Sequence, residues 1–367
     1  MGRLLLVLLN IIALGSAGCG NNQPGGGSPG AGTPLGQPMV GLDSGLWNWV
    51  PFPDSACGDG SPTGIGVNPG TGPDLVLFLD GGGACSSAFT CFTIGSAVTL
   101  GPFGLAEFVS RSASNSGSIL DRALPGNPFA DATLVFIPYC TGDVHGGDRI
   151  ATYTDGPGGT VHHVGHSNVL AYLKRVAATY TAPRRLVVAG SSAGGFGTLV
   201  NYESVRNYYP AAQGFLVDDS GPPLEFNGGP LIQGGFANWG IADVLDPLCE
   251  GAGVCEADLS KGLAALIRKH PDDRFALLSW STDPTISQFY VITQTDFATK
   301  LLTMTADVID PVINARDAAS NASAFIAAGA NHTMLGAPGS VSRNAISLVT
   351  WLDQQVSDSA AWVTVKP

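Results

Sequence analysis

The stretch RLVVAGSSAGGFG, residues 185–197, decides the fold of this chain. Its first half is a run of apolar, largely β-branched residues, which predicts a buried strand. Its second half, Gly190-Ser191-Ser192-Ala193-Gly194, matches the pattern G-x-S-x-G, and a predicted helix follows over residues 198–209. In that pattern, small residues let a sharp strand-to-helix turn lift the serine hydroxyl clear of the backbone. Ser192 is therefore the predicted nucleophile, and a simple glycine-rich turn is the alternative that this context disfavours.

Short apolar runs alternate with longer segments, which predicts a mainly parallel central sheet with helices on both faces, the α/β-hydrolase fold. Functional motifs follow the ends of these runs, where open α/β sheets bind their ligands. A helix is predicted to begin with Ser167 as its cap. We expect one catalytic domain over residues 39–367. The six predicted strands are residues 75–79, 133–138, 185–190, 214–218, 274–280 and 324–328.

The nucleophile needs a base and an acid, which follow it in this fold in the order acid, then histidine. Two histidines come after Ser192 in the sequence, His270 and His332. His270 lies in a polar loop, whereas His332 follows the last predicted strand, so His332 is the predicted base. Asp283 follows the preceding strand and is the predicted acid. Asp219, one strand earlier, is the alternative.

Ester hydrolysis also needs N–H donors for the oxyanion. We expect one from Ala193, the residue after the nucleophile, and others from Gly82 and Gly83 in the glycine run after the first predicted strand. Glycine there lets the backbone approach the substrate without an intruding side chain. The candidates to fill the neighbouring space with a large side chain are Phe196, Phe89, Phe92 and Trp239.

No cofactor or metal is predicted. The sequence carries neither a P-loop nor a dinucleotide fingerprint. His162, His163 and His166 lack a partner carboxylate or cysteine at ligand spacing, so we expect structural or solvent-facing roles. Asp143 and His145, in the glycine turn of residues 141–148, are expected to line the site or shape the loop.

The N-terminus is predicted to be an export signal. Residues 1–18 comprise Arg3, an apolar run and small residues, and residues 19–38 form a Gly/Pro-rich tether. Either Cys19 is lipidated at a lipobox, or a signal peptidase cuts after Ala17. Cysteine parity favours the lipoprotein, because removing Cys19 from the seven cysteines leaves an even set. We expect the pairs Cys85–Cys91, Cys249–Cys255 and Cys57–Cys140.

The net charge of the chain limits the classes of partner that it can bind. A formal net charge of -12, without a basic stripe, argues against nucleic acid. We expect a monomer that meets a membrane only through the possible lipid anchor. Its expected location is the cell envelope, as a lipoprotein of the outer membrane or cell surface, or the surrounding medium.

The chain resembles the pectin acetylesterase and Notum family of carboxylesterases, as a bacterial lipoprotein member. The motifs that carry the resemblance are FLDGGGAC (78–85), PYCTGDVHGGD (138–148), VAGSSAGGFG (188–197), VDDSG (217–221) and ANH (330–332). The resemblance implies Ser192, Asp283 and His332 as the triad, and no metal. The sequence departs from the family pattern at two places. The family has an aromatic residue in the glycine run, where this chain has Gly83-Ala84. It also has a cysteine after its Asn-His, where this chain has Thr333.

These observations predict a serine carboxylesterase that works through an acyl-enzyme and deacetylates a polysaccharide. Short acyl groups are expected because the resemblance is closest to deacetylating members and no long apolar lid segment is visible. The first alternative is an extracellular lipid or polyester esterase. The second is a lipoprotein that binds glycans without catalysis.

Overall fold

The computed structural model describes residues 35–226, 230–249, 251–310 and 321–367. The predicted signal peptide, the lipidation candidate Cys19 and most of the predicted tether lie outside these residues. The last tether residues are attached to the folded unit, because Gly36 N donates to Lys174 O at 2.9 Å. The folded chain therefore begins slightly before Met39. No helix within the described ranges is long and apolar enough to cross a membrane.

A sheet of eight strands forms the centre of the domain, in the order β1-β2-β4-β3-β7-β8-β9-β10. The six strands from β4 to β10 in this order are parallel, and β1 and β2 add antiparallel strands at one edge. Two hairpins, β5–β6 and β11–β12, stand outside it. The strands are β1 (Asn48–Phe52), β2 (Thr63–Asn68), β3 (Leu75–Leu79), β4 (Thr133–Ile137), β5 (Arg149–Tyr153), β6 (Gly159–His163), β7 (Arg185–Ser191), β8 (Gln213–Asp219), β9 (Arg274–Trp280), β10 (Ala322–Ala327), β11 (Ser342–Arg343) and β12 (Ile346–Ser347).

Helices cover both faces of this sheet. They are α1 (Leu105–Ser112), α2 (Gly165–Thr179), α3 (Ala193–Tyr208), α4 (Pro230–Trp239), α5 (Ala242–Leu245), α6 (Val254–Ala257), α7 (Ser260–Lys269), α8 (Pro284–Tyr290), α9 (Gln294–Met304) and α10 (Leu348–Val356). The predicted α/β architecture, a mainly parallel sheet between two helical layers, is confirmed.

Alternation along the buried strands divides the core between the two faces. Leu75, Leu77 and Leu79 of β3 pack in one cluster with residues of α2 and α3. Val76 and Phe78 pack in a second cluster with residues of α1 and α10. Because every β3 residue is buried, the strand reads as a continuous apolar run, which is typical of a central parallel strand. Each such side chain contributes about 1.5–3 kcal/mol of transfer free energy.

The start of α2 differs from the prediction. The helix begins at Gly165, and Ser167 is already inside its first turn, where its hydroxyl donates to Asp148. Asp143 provides the acceptor at the helix start, since its Oδ2 accepts from Gly165 N at 2.7 Å. A carboxylate from a neighbouring loop thus replaces the local serine cap that the sequence suggested.

The six cysteines of the described ranges form three disulfides, with the pairing expected from the sequence. Cys85–Cys91 and Cys249–Cys255 close short loops, while Cys57–Cys140 joins residues 83 positions apart. The long-range bond fixes the segment between β1 and β2 to Cys140, the third residue after β4. It therefore holds the antiparallel edge of the sheet to the parallel part.

Candidate active site

Ser192 lies between β7 and α3 in a sharp turn, with φ at +59°. Non-glycine residues rarely adopt this region, so the turn must be held by its surroundings. A Cβ at Gly190 would lie 2.2 Å from Gly194 O, and one at Gly194 would lie 2.0 Å from Leu79 O. Ser192 N donates to Asp219 O at 2.7 Å. Tight packing and this bond explain why the turn requires glycines on both sides of the serine.

Asp283 and His332 meet at the same edge of the sheet, after β9 and β10. Asp283 is fully buried and caps α8, because its Oδ1 accepts from the amides of Thr285 at 2.9 Å and Ile286 at 3.0 Å. Its Oδ2 lies 2.7 Å from His332 Nδ1. With the carboxylate as acceptor, Nδ1 carries the proton. His332 Nε2 is then the nitrogen that can accept one.

Asp219, the alternative acid, binds the loop that carries His332 and not the imidazole ring. Its carboxylate accepts from the amides of Met334 at 2.9 Å and Leu335 at 2.8 Å, and from the Ser191 hydroxyl at 2.8 Å. Burial raises the pKa of Asp219, and these three donors act in the opposite direction. Asp219 therefore ties the turn at Ser191 to the histidine loop.

The amides expected to bind an oxyanion lie close to Ser192, the predicted nucleophile. A Cβ added to Gly81 would lie 3.1 Å from Ser192 Cβ, so the glycine run passes directly against the serine. Among the described residues, the N–H groups of Gly82, Gly83 and Ala193 donate to no backbone carbonyl. The arrangement leaves these three N–H groups available for a developing negative charge.

An apolar pocket of about 570 Å³, counted to its open mouth, lies beside Ser192. Phe196 and Trp239 line it, whereas Phe89 and Phe92 are exposed and do not. The full lining is Gly83, Ala84, Val144, Ser192, Ala193, Phe196, Val200, Phe226, Phe236, Trp239, Ile241, Leu259, Ile286 and Phe289. The pocket also contains Phe226, Phe236 and Phe289, which no sequence pattern indicated, because they come from segments that meet only in the fold.

One group of side chains has the composition of a metal site. The sulfurs of Cys85 and Cys91 and a nitrogen of His163 lie within 4.8 Å of one another. The two sulfurs are joined as a disulfide, and His163 bonds to Thr141 O at 2.8 Å and to the Tyr153 hydroxyl at 2.9 Å. Burial lowers the pKa of His163. Its donor atoms are thus engaged in holding the loops around the pocket.

Comparison with known proteins finds similarity over the part of the chain that contains Ser192. Residues 51–227 match the family model described as Pectinacetylesterase. The palmitoleoyl-protein carboxylesterase notum1' of Xenopus laevis is 31% identical over 173 residues, which cover 45% of this chain and 34% of that protein. Palmitoleoyl-protein carboxylesterase NOTUM of Homo sapiens is 30% identical over 173 residues, with the same coverage. The match thus spans about a third of the length of each relative.

The resemblance recognised from the sequence motifs is confirmed by these matches. The family match contains the glycine run and Ser192, and it ends before Asp283 and His332. The roles of the latter two residues therefore depend on the geometry described above.

Proposed function

We propose that this chain, whose residues 51–227 match the pectinacetylesterase family model, is a serine esterase that works through an acyl-enzyme. The observation that carries the proposal is the 2.7 Å bond between buried Asp283 and His332 Nδ1, at the sheet edge where Ser192 also lies. The amides of the glycine run beside Ser192 support the same chemistry.

In the first half of the reaction, Ser192 Oγ attacks the ester carbonyl carbon and His332 Nε2 takes the hydroxyl proton. The carbonyl oxygen becomes an oxyanion and accepts hydrogen bonds from Gly82, Gly83 and Ala193, each worth about 3 kcal/mol. His332 then gives its proton to the departing alcohol oxygen as the carbon–oxygen bond breaks.

Water completes the cycle by the same route. His332 Nε2 takes a proton from water, the resulting hydroxide attacks the acyl-enzyme, and the proton returns to Ser192 Oγ as the carboxylic acid leaves. Asp283 holds the Nδ1–H tautomer throughout and stabilises the imidazolium that forms in each step.

A fluorophosphonate probe tests the serine mechanism. The wild-type protein should be labelled on Ser192, while Ser192→Ala should be unlabelled and slower by about 10⁶-fold, and His332→Ala should lose a similar factor. A wild-type protein that is neither labelled nor active on any aryl ester would support the non-catalytic glycan-binding alternative.

For the substrate, the proposal is an acetylated carbohydrate, and the description of the matched family supports it. The pocket favours a second candidate, an ester of a longer acyl chain such as a lipid or polyester. Its lining is almost entirely apolar, so an aliphatic acyl chain would bury apolar surface there. The expectation of short acyl groups was made from the sequence without knowledge that Phe226, Phe236 and Phe289 line this pocket.

A series of aryl esters from acetyl to octanoyl separates these candidates. If the pocket holds the acyl chain, each added methylene should raise kcat/KM by up to about fourfold, the equivalent of ~0.8 kcal/mol, until the pocket is full. A maximum at acetyl would support the carbohydrate deacetylase. Acetylated xylan and pectin, assayed beside the aryl esters, report on the alcohol part.

The proposal includes export of the protein. Three disulfides in one chain are typical of proteins that fold in an oxidising compartment. The mass of the mature N-terminal peptide tests the anchor at Cys19, since lipidation and cleavage after Ala17 give different products.

A further inference from the structure

The glycine run beside Ser192 begins at Asp80, and both polar groups of the Asp80 backbone are engaged. Asp80 N donates to Ile137 O at 3.0 Å, which continues the pairing of β3 with β4. Asp80 O lies 2.8 Å from His145 Nε2. Because a carbonyl oxygen can only accept, Nε2 carries the proton. This bond fixes the plane of the peptide between Asp80 and Gly81, and with it the direction in which the run leaves the strand.

His145 is itself held rigidly. It is 2% exposed and has φ at +58°. Its backbone N–H donates to Asp143 Oδ1 at 3.1 Å, and its carbonyl accepts from Asn201 Nδ2 at 2.9 Å. The ring lies 4.7 Å from that of Tyr139. Burial lowers the pKa of His145, while the hydrogen bond to the Asp80 carbonyl and the charges of Asp143 and Asp80 act in the opposite direction.

The peptide between Asp80 and Gly81 also has little room to move on the side that faces Ser191 and Ser192. A Cβ at Gly81 would lie 2.5 Å from Ser191 O and 3.1 Å from Ser192 Cβ. A change in the tilt of this peptide would therefore move the run relative to the nucleophile. Gly82 and Gly83 follow directly in the chain, so the change in tilt would also displace the N–H groups that are proposed to bind the oxyanion.

We propose that His145 is a positioning residue, which donates from Nε2 to the Asp80 carbonyl and so aims the oxyanion amides of the glycine run at Ser192. The inference rests on the proposed esterase function and adds a residue to its machinery. It assigns no proton transfer to His145. Asp143 and His145 act together in this turn. Asp143 accepts from the backbone N–H of His145, and the His145 side chain in turn holds the glycine run at Asp80.

Two amide substitutions test this role. In His145→Gln the side-chain N–H₂ reaches about as far as Nε2 and can still donate to Asp80 O. In His145→Asn the N–H₂ reaches only as far as Nδ1, and the bond is lost. Asparagine tolerates a positive φ better than glutamine does. A role confined to folding therefore predicts the opposite order of activity.

Rates are measured per site, with the fraction of reactive Ser192 titrated by the fluorophosphonate. We expect His145→Asn to lower kcat by about 10²-fold with KM changed less than about twofold, near the lower figure for losing one oxyanion donor. His145→Gln should stay within about fivefold of the wild type. A trifluoromethyl ketone, whose adduct carries an oxyanion, should bind His145→Asn more weakly by the same factor as the loss in kcat/KM.

Tyr139→Phe is the matched control. The Tyr139 hydroxyl accepts from Val144 N at 2.8 Å, so its removal weakens the same turn without touching the His145–Asp80 bond. Its melting temperature should fall while its kcat per labelled site is retained. Equal rates for His145→Asn and His145→Gln, or a loss confined to KM, would overturn the inference. If the wild type is not labelled on Ser192, the proposed function itself fails.

Discussion

Replacing Asp283 with asparagine separates its two roles, because each carboxylate oxygen has its own partner. Oδ1 accepts from the amides of Thr285 and Ile286 at the start of α8, and Oδ2 accepts from His332 Nδ1. Asparagine keeps an acceptor for the helix and is an equally good cap. It places an N–H₂ group against His332, which favours the tautomer protonated on Nε2. That tautomer cannot take the proton of Ser192.

The expected loss in kcat for Asp283→Asn is about 10⁴-fold, the cost of the wrong tautomer in a serine triad. Asp283→Ala removes the cap as well. A lost cap costs about 1 kcal/mol, and the buried Ile286 amide, left without an acceptor, adds about 1–3 kcal/mol. At roughly 2 °C for each kcal/mol in a domain of this size, Asp283→Ala should melt about 4–8 °C lower, and Asp283→Asn should stay near the wild type.

The assay pairs kcat on an aryl ester with thermal unfolding followed by circular dichroism. Loss of activity in Asp283→Asn with a retained melting temperature supports the assignment of the acid. A variant Asp283→Asn that keeps more than a tenth of the wild-type kcat would show that His332 is oriented by something else. In that case Asp219 would be tested next as the acid.

Three further predictions concern stability. Asp219→Asn should lower the melting temperature more than Asp283→Asn does, because an N–H₂ group takes the place of one of the oxygens that accept from Met334, Leu335 and Ser191; equal melting temperatures would contradict this. Burial raises the pKa of Asp218, so its contribution to stability is full below the ordinary carboxyl range and is lost as pH rises through the folded pKa. Asp218→Asn, which stays neutral, should therefore gain stability over the wild type in urea titrations at pH 7 but not at pH 4, and a gain independent of pH would refute it. Loss of the Cys57–Cys140 bond should cost about 4.5 kcal/mol in the chain-entropy model, against about 2 kcal/mol for either short bridge, as urea unfolding of the Cys→Ser pairs can measure.

The parallel strands could be predicted from the sequence, whereas the antiparallel edge could not. β3 and β4 are buried along their whole length, so each appears as a continuous apolar run. β1 contains Pro51, which is tolerated only on an edge strand or bulge. β2 contains Gly64 and Gly66, where a Cβ would lie 2.2 Å from Val50 O and from the Phe108 ring, respectively. Close packing in β2 thus requires glycines, and a sequence pattern with glycines at these positions is more typical of a loop than of a strand.

The choice between two acids at neighbouring strand ends shows the limit of placement along the sequence. Asp219 and Asp283 both follow buried strands, and strand order alone cannot show what each carboxylate contacts. The structure shows that Asp219 uses its oxygens on Met334, Leu335 and Ser191. The two amides are more than a hundred residues from Asp219 in the sequence. No local sequence pattern could therefore predict these contacts.

Buried carboxylates at this sheet edge are distinguished by the donors that reach them. A buried carboxylate must be paired or hydrogen-bonded, since an isolated charge in the interior is too costly. Asp219 is served by two amides and a hydroxyl, whereas the amides at the start of α8 reach only Oδ1 of Asp283. Oδ2 is left without a backbone donor, and His332 Nδ1–H fills that place. The cap of α8 therefore both orients the carboxylate and leaves one oxygen for the imidazole. This explains why a helix beginning directly after Asp283 suits an acid that must hold a histidine.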